Sequence, residues 1–189
     1  MNDLYVTIET SIPDEQIEMF HRLYEDAFGP LRTKAIARQV LHRHEFHEEM
    51  TDPRVHKHVA RTESGEPIGV TTLTKHLQTV PWISPDYFTA RYPEHAARDA
   101  IYYMGFTLVA SSARQGPAFR AMIKSVAQVV MADHAVVGWD ICSYNNTQFS
   151  FAGAVRAAVD GQVNVEVVVE DSQTYYAARV TGVGATKGG

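Results

Sequence analysis

The chain has 189 residues, with 17 Lys and Arg against 22 Asp and Glu, a formal net charge of −5, and 45% hydrophobic, 21% charged and 10% aromatic residues. A chain of this length buries roughly 70% of its unfolded surface, enough for one sizeable core, and its hydrophobicity lies far from the disordered regime. A pI near 6.0 without a Lys/Arg stripe excludes the footprint of a nucleic-acid binder, and no apolar run approaches the roughly 20 residues of a bilayer span.

The N-terminal stretch has neither the basic nor the apolar region of a signal peptide, and the single Cys142 cannot form an intramolecular disulfide, so a cytoplasmic location is expected. One domain is expected over residues 1–180. The tail over 181–189, with four glycines and no large side chain, is read as disordered.

Leu4–Thr10 alternates as a strand, and Pro13, Asp14 and Glu15 then open a helix with Ile17, Phe20, Leu23, Tyr24 and Ala27 on one face. Gly29 and Pro30 stop it. A second helical region is expected from about Thr33 to Met50, with a break near His42. Val55–Arg61 and Pro67–Lys75 flank Glu63-Ser-Gly-Glu66 and read as a hairpin. The stretch His76–Asp99 carries Trp82, Tyr87, Phe88 and Tyr92 with three prolines and is expected to be an ordered insertion or lid.

Ala100–Ala110 is a continuous apolar run and reads as a central strand. After the polar stretch Ser111–Gln115, Gly116 and Pro117 open a helix to about Asp133. Its Arg120, Lys124 and Gln128 form a polar stripe, opposite Phe119, Ile123, Val126 and Val130. Ala135–Ile141 is a further strand and Phe149–Val159 a short helix. Val163–Glu170 and Thr174–Val180 are expected to close the chain as a hairpin. The strand–helix–strand unit in the middle must contribute parallel strands to a mixed, mostly antiparallel sheet, and the class is α/β (α+β).

A strand that runs through a short loop into a helix N-terminus aims unpaired backbone N–H groups in one direction and makes an anion cradle. Thr107–Phe119 has this form: Gly116 admits a ligand to the backbone and Arg114 offers a bidentate phosphate contact. The bland alternative is that Gly and Pro merely punctuate a turn.

Together with the element order over Leu4–Val180, this segment resembles the GCN5-related N-acetyltransferase superfamily. The motif resemblance covers Thr107–Met122: Val109 stands five residues before Arg114, and Arg120-Ala-Met-Ile123 continues the helix. Pro117 and Phe119 depart from the expected glycines; a shift by one puts Gly116 and Ala118 on the small positions and Ala113 on the Arg/Gln position. The resemblance implies a single domain with helices on both faces of the sheet and a splay between its two central strands. It implies that Thr107, Leu108 and Val109 pair with the pantetheine arm of an acyl-CoA, and that Arg114, Gln115, Gly116, Ala118 and Phe119 cradle the pyrophosphate. Gly105 is compatible with the strand bulge that such relatives carry. Asn146 would contact the CoA, and Tyr144 would protonate the departing thiolate in place of the usual helical Tyr.

The resemblance makes acetyl-CoA or another acyl-CoA the co-substrate and a small-molecule amine the acceptor, with no metal and with a homodimer left open. Asp140, at the end of a buried strand, is a candidate base or partner for the acceptor's ammonium group. His44 and His47 on the second helix would border the acceptor pocket, which Trp82, Tyr87 and Phe88 would cover. Two other readings remain: a non-catalytic module of the same fold that binds a CoA-like ligand or a partner protein, and a metal enzyme built on the cluster His42, His44, His47, His56 and His58. The spacing His44-Glu-Phe-His47 is not that of a His-Glu-x-x-His zinc helix.

Overall fold

The parallel strand pair expected around the long central helix is the hinge of the architecture. A computed structural model describes residues 4–110 and 115–179. Five strands, β1 (Tyr5–Glu9), β2 (Val55–Arg61), β3 (Pro67–Thr74), β4 (Ile101–Val109) and β5 (Val136–Gly138), form one sheet in sequence order. All neighbours are antiparallel except β4 and β5, which are parallel.

On one face pack α1 (Asp14–Phe28) and α2 (Arg43–Thr51), where Ile17, Phe20, Tyr24, Phe46 and Met50 meet Val59, Val70, Phe106 and Leu108. The other face carries α5 (Gln115–Ala132) and α7 (Phe151–Val159), whose Ile123, Val126, Ala158 and Val159 cover Leu73, Tyr102 and Met104. Between β3 and β4 lie α3 (Pro85–Arg91) and α4 (Pro93–Ala96), and α6 (Ser143–Gln148) follows β5. Arg120, Lys124 and Gln128 are exposed on α5, as their stripe requires. No helix among the described residues is long and apolar enough to cross a membrane.

Three expectations are corrected. The second helical region starts only at Arg43, because the chain after α1 turns through a short 3-10 segment (Gly29–Thr33) and residues 34–42 carry no helix. The start of α2 is fixed by Glu45, whose carboxylate accepts the His42 N–H at 2.6 Å and two bonds from Arg38 at 2.5 and 2.9 Å. The expected strand Ala135–Ile141 shortens to three residues. The closing hairpin is absent among the described residues: 163–179 join no ladder, and Val180 lies outside them. That segment is held by side chains instead. Arg156 donates to the Val167 carbonyl, and Glu170 accepts from Tyr87, Arg91 and Tyr92. Strand propensity measures fit to a pleated neighbour, and the short β5 offers none.

One buried group makes the fold acid-sensitive. His58 on β2 is wholly buried, its Nδ1 2.8 Å from Ser125 Oγ on α5, while its Nε2 has no partner. Burial first, and His56 second, push its pKa down to about 4 from 6.5. The folded state therefore keeps His58 neutral while the unfolded chain takes up a proton, so stability is lost as pH falls from about 6.5 toward 4. The loss amounts to about 3 kcal/mol at the acid end. Urea unfolding at several pH values between about 7 and 4.5 should show a steeper decline for the wild type than for His58→Gln, which keeps a polar side chain toward Ser125 without titrating. Parallel pH slopes would place the sensitivity elsewhere.

Candidate active site

The two central strands part because β5 is short. Ile101, Tyr102 and Tyr103 pair with Val136, Val137 and Gly138, and beyond Tyr103 the outer edge of β4 has no partner strand among the described residues. On the inner edge, Ala110 N donates to Ile68 O, and antiparallel alternation turns Leu108 toward β3 as well. The same alternation directs the N–H groups of Thr107 and Val109 to the open side.

A register shift opposite Thr72 adds one residue to β4 at Gly105–Phe106. It reverses the faces of the strand: Tyr103 before it and Phe106 and Leu108 after it lie on the side of α2. Gly105 is required there. An added Cβ would collide with the Thr72 hydroxyl and lie 3.1 Å from Glu49 Oε1.

At this bulge a small pocket is lined by Glu49, Val55, Thr72, Thr74, Thr79, Val80, Trp82, Tyr103 and Gly105. Glu49 comes from α2, where Phe46 and Met50 enter the core and place Glu49, about 60° around the helix from Phe46, at the edge of the same face. The residue keeps partial exposure while its carboxyl is enclosed. Oε1 accepts the Thr72 hydroxyl at 2.7 Å. Burial pushes the Glu49 pKa up to about 7, opposed by the Thr72 bond and by Lys57. Lys57, wholly buried on β2, donates to the carbonyls of Thr10 at 3.0 Å and Asp52 at 2.7 Å, and burial pushes it down to about 8. The cleft thus holds a carboxyl that exchanges its proton near neutrality, the property a general base needs.

Asp140 stands just past β5. Its Oδ1 accepts the Tyr103 hydroxyl at 2.5 Å and the Trp82 indole N–H at 3.1 Å. Burial and Asp140 together raise the Tyr103 pKa far above its usual value, so its hydroxyl stays a donor.

The insertion is ordered, as expected, but serves as a wall as well as a cover. Leu77, Val80, Ile101 and Tyr103 form a buried cluster joined by Ile83, Phe88, Tyr92 and Ala96. Phe88 packs edge-on against Tyr103 and fills the notch at Gly138, where a Cβ would lie 2.9 Å from its ring. Of the three aromatics expected over the acceptor, only Trp82 lines the cleft. Phe88 is part of the packing, and Tyr87 bonds to Glu170.

The remaining expected positions divide. Arg114 lies outside the described residues, and Gln115 is described only as the first residue of α5. Gly116 is exposed, and among the described residues nothing lies within 4 Å of an added Cβ. Ala118 is buried against Ala60, Ile68 and Met122, and Phe119 packs on Phe149 and Phe151, so neither side chain turns to the slot. Leu108 enters the first core cluster. Asn146 is exposed on α6. Tyr144, also on α6, sits outside the cleft and accepts from Lys34 Nζ at 2.8 Å. His44 stacks on His42, and His47 lies 3.3 Å from Asp14 on α1, both on the exposed side of α2. His47 is about 200° around the helix from Glu49. No group of three or more metal-ligating side chains occurs among the described residues.

Comparisons with known proteins locate this arrangement. No family model matches the chain, and no curated protein matches it. Solved structures do. A GCN5-related N-acetyltransferase from Ralstonia eutropha JMP134 is 16% identical with a TM-score of 0.52, over 92% of this chain and 99% of that one. A probable acetyltransferase is 11% identical with a TM-score of 0.52, over 91% and 99%. An acetyltransferase of the same family from Listeria monocytogenes 4b F2365 is 14% identical with a TM-score of 0.51, over 86% and 89%. The chain therefore has the fold of the GCN5-related N-acetyltransferases.

Gly105→Ala tests the bulge. The methyl group must displace Thr72 and Glu49, at an overpacking cost of about 1–3 kcal/mol. A lower melting temperature is expected, with recovery of part of the loss in Gly105→Ala/Thr72→Ala; an unchanged melting temperature would show that the contact is relieved without cost.

Proposed function

We propose that this protein is an N-acyltransferase that moves an acyl group, acetyl in the simplest case, from acyl-CoA to a small amine by direct transfer. The observation that carries the reading is the enclosed Glu49 carboxyl, titrating near neutrality, beside the bulge where the edge of β4 becomes free.

The residues present fit the donor. The outward N–H groups of Thr107 and Val109 suit an extended amide-bearing arm, and the exposed Gly116 suits a phosphate at the start of α5. Arg114 and Gln115, by sequence, would complete that cradle, and Asn146 would contact the donor from α6. A strand N–H would hold the developing oxyanion.

In the transfer, the amine nitrogen bonds to the thioester carbonyl carbon and the C–S bond breaks. As the C–N bond forms the nitrogen becomes strongly acidic, and Glu49 takes its proton. The departing thiolate takes its proton from water, because Tyr144 is held by Lys34 outside the pocket. Thr72 holds Glu49 in place, Lys57 acts on it through space, and Trp82 and Tyr103 wall the acceptor. An acyl-CoA donor and a free Cys142 assign the reaction to the cytoplasm.

Glu49→Gln should lower kcat by about 10²- to 10⁴-fold, measured as release of free thiol from acetyl-CoA over a panel of amines. Because the folded-state pKa is raised, ionised Glu49 costs stability as pH rises past 4.5 toward about 7, and Gln removes that cost. The variant should therefore be no less stable than the wild type at about pH 8, which separates lost chemistry from unfolding. In the wild type, log(kcat/KM) should rise more steeply below about 7, where Glu49 takes up a proton, than above it, where deprotonation of the amine alone sets the slope, and the variant should lack the steeper limb. Binding of acetyl-CoA without thiol release from any amine would instead mark a ligand-binding module.

A further inference from the structure

The transfer step leaves one carboxylate beside the cleft unused. Asp140 is oriented by two neutral donors, the Tyr103 hydroxyl and the Trp82 indole, both bonded to Oδ1, and both residues line the cleft. No hydrogen bond to Oδ2 and no ion pair to Asp140 occurs among the described residues. The contrast with other carboxylates is direct: Glu9, Glu25, Glu45, Asp52 and Glu170 each hold an arginine. Asp140 is exposed, and Trp82 beside it is 46% exposed. A carboxylate fixed through one oxygen, with its other oxygen unbonded beside a half-exposed indole, is a receptor for an organic cation, which gains a charge-assisted hydrogen bond there.

Resting on the acyl-transfer reading of the cleft, we infer that the acceptor carries a second amino group: its reacting nitrogen lies at Glu49, and its distal ammonium lies on Asp140 beside Trp82. The two carboxylates divide the work. Glu49, enclosed, exchanges a proton near neutrality. Asp140, exposed and bonded to Tyr103 and Trp82, stands outside the proton transfer. Their separation follows from β4, since Glu49 lies against Gly105 and Asp140 against the tip of Tyr103. These residues are two apart, roughly 6.6 Å along the strand, and Asp140 lies a further tyrosine side chain away from it, so the nitrogens need a spacer of several carbons. The occupant is thus a linear diamine or an aminoalkyl compound.

Matched probes test this: ethylamine with diaminoethane, butylamine with diaminobutane, and hexylamine with diaminohexane. Two readouts are taken, thiol release from acetyl-CoA and calorimetric binding of each amine to the protein without donor. Diaminobutane or diaminohexane should exceed its monoamine by about 10-fold or more in kcat/KM, mainly through KM, whereas diaminoethane gains no more than the statistical factor of about two. Asp140→Asn, at an exposed position, should erase most of that preference while lowering monoamine turnover far less, and Trp82→Ala should weaken it. Equal kcat/KM for monoamine and diamine in the wild type, or an equal loss on both in Asp140→Asn, overturns the proposal. If no amine is acylated, the transfer reading falls and binding decides alone. Diamine binding that Asp140→Asn abolishes supports the ammonium site; diamine binding that is absent, or indifferent to the substitution, overturns it.

Discussion

The extra residue at Gly105–Phe106 of β4 governs where every other group of the cleft can stand. Both faces of this strand are apolar, so a reversal of its faces midway leaves the core filled: Tyr102 and Met104 meet α5 and α7 before the bulge, and Phe106 and Leu108 meet α1 and α2 after it. On β3 the residue opposite is Thr72, whose hydroxyl is free to reach Glu49. A glycine on β4 leaves the space that Glu49 needs. Without the bulge, position 105 would be one more packed strand residue, and the α2 carboxyl would meet a closed surface.

Enclosing a carboxyl and an ammonium group in the same quarter of the molecule shifts both toward neutrality. Burial raises Glu49 and lowers Lys57, and their mutual attraction only partly reverses either shift. Lys57 tolerates full burial because it has two carbonyl acceptors, one of them on Asp52, the residue that ends α2. The C-terminal end of a helix carries partial negative charge, which favours a cation there. Lys57 therefore fixes the end of α2 a few residues from Glu49, and the proton affinity of Glu49 depends on that anchoring as well as on its own burial.

Elements with one-dimensional signals were legible in the sequence. The α1 face, the hairpin of β2 and β3, the continuous apolar run of β4 and the Gly116-Pro117 start of α5 all appear within a residue or two of their expected bounds. The splay was expected from resemblance, and the three-pair contact of β4 with β5 has that form. Glu49 was missed because the stretch Arg43-His-Glu-Phe-His-Glu-Glu49 is conspicuous for its histidines, which the helix turns outward. The usable signal was geometric: an acid on the helical face of Phe46 and Met50 is directed toward the core. The alternation of residues 163–170 misled in the opposite way, since a strand pattern specifies a face and never supplies the neighbour that completes a ladder.

The character of the insertion follows from what anchors it. A lid opens by breaking few contacts, whereas α3 is locked along its length. Ser84 caps its first turn, and Phe88 occupies the notch that Gly138 leaves against Tyr103. Glu170 then ties Tyr87, Arg91 and Tyr92 to the chain beyond α7. Lifting α3 would expose Phe88, empty the notch and separate several charged and phenolic groups at once. Trp82, by contrast, precedes the helix and is held through its indole N–H to Asp140. The part of the wall that hangs on one hydrogen bond is therefore the Trp82 side chain, and Asp140 sets its position at the edge of the pocket.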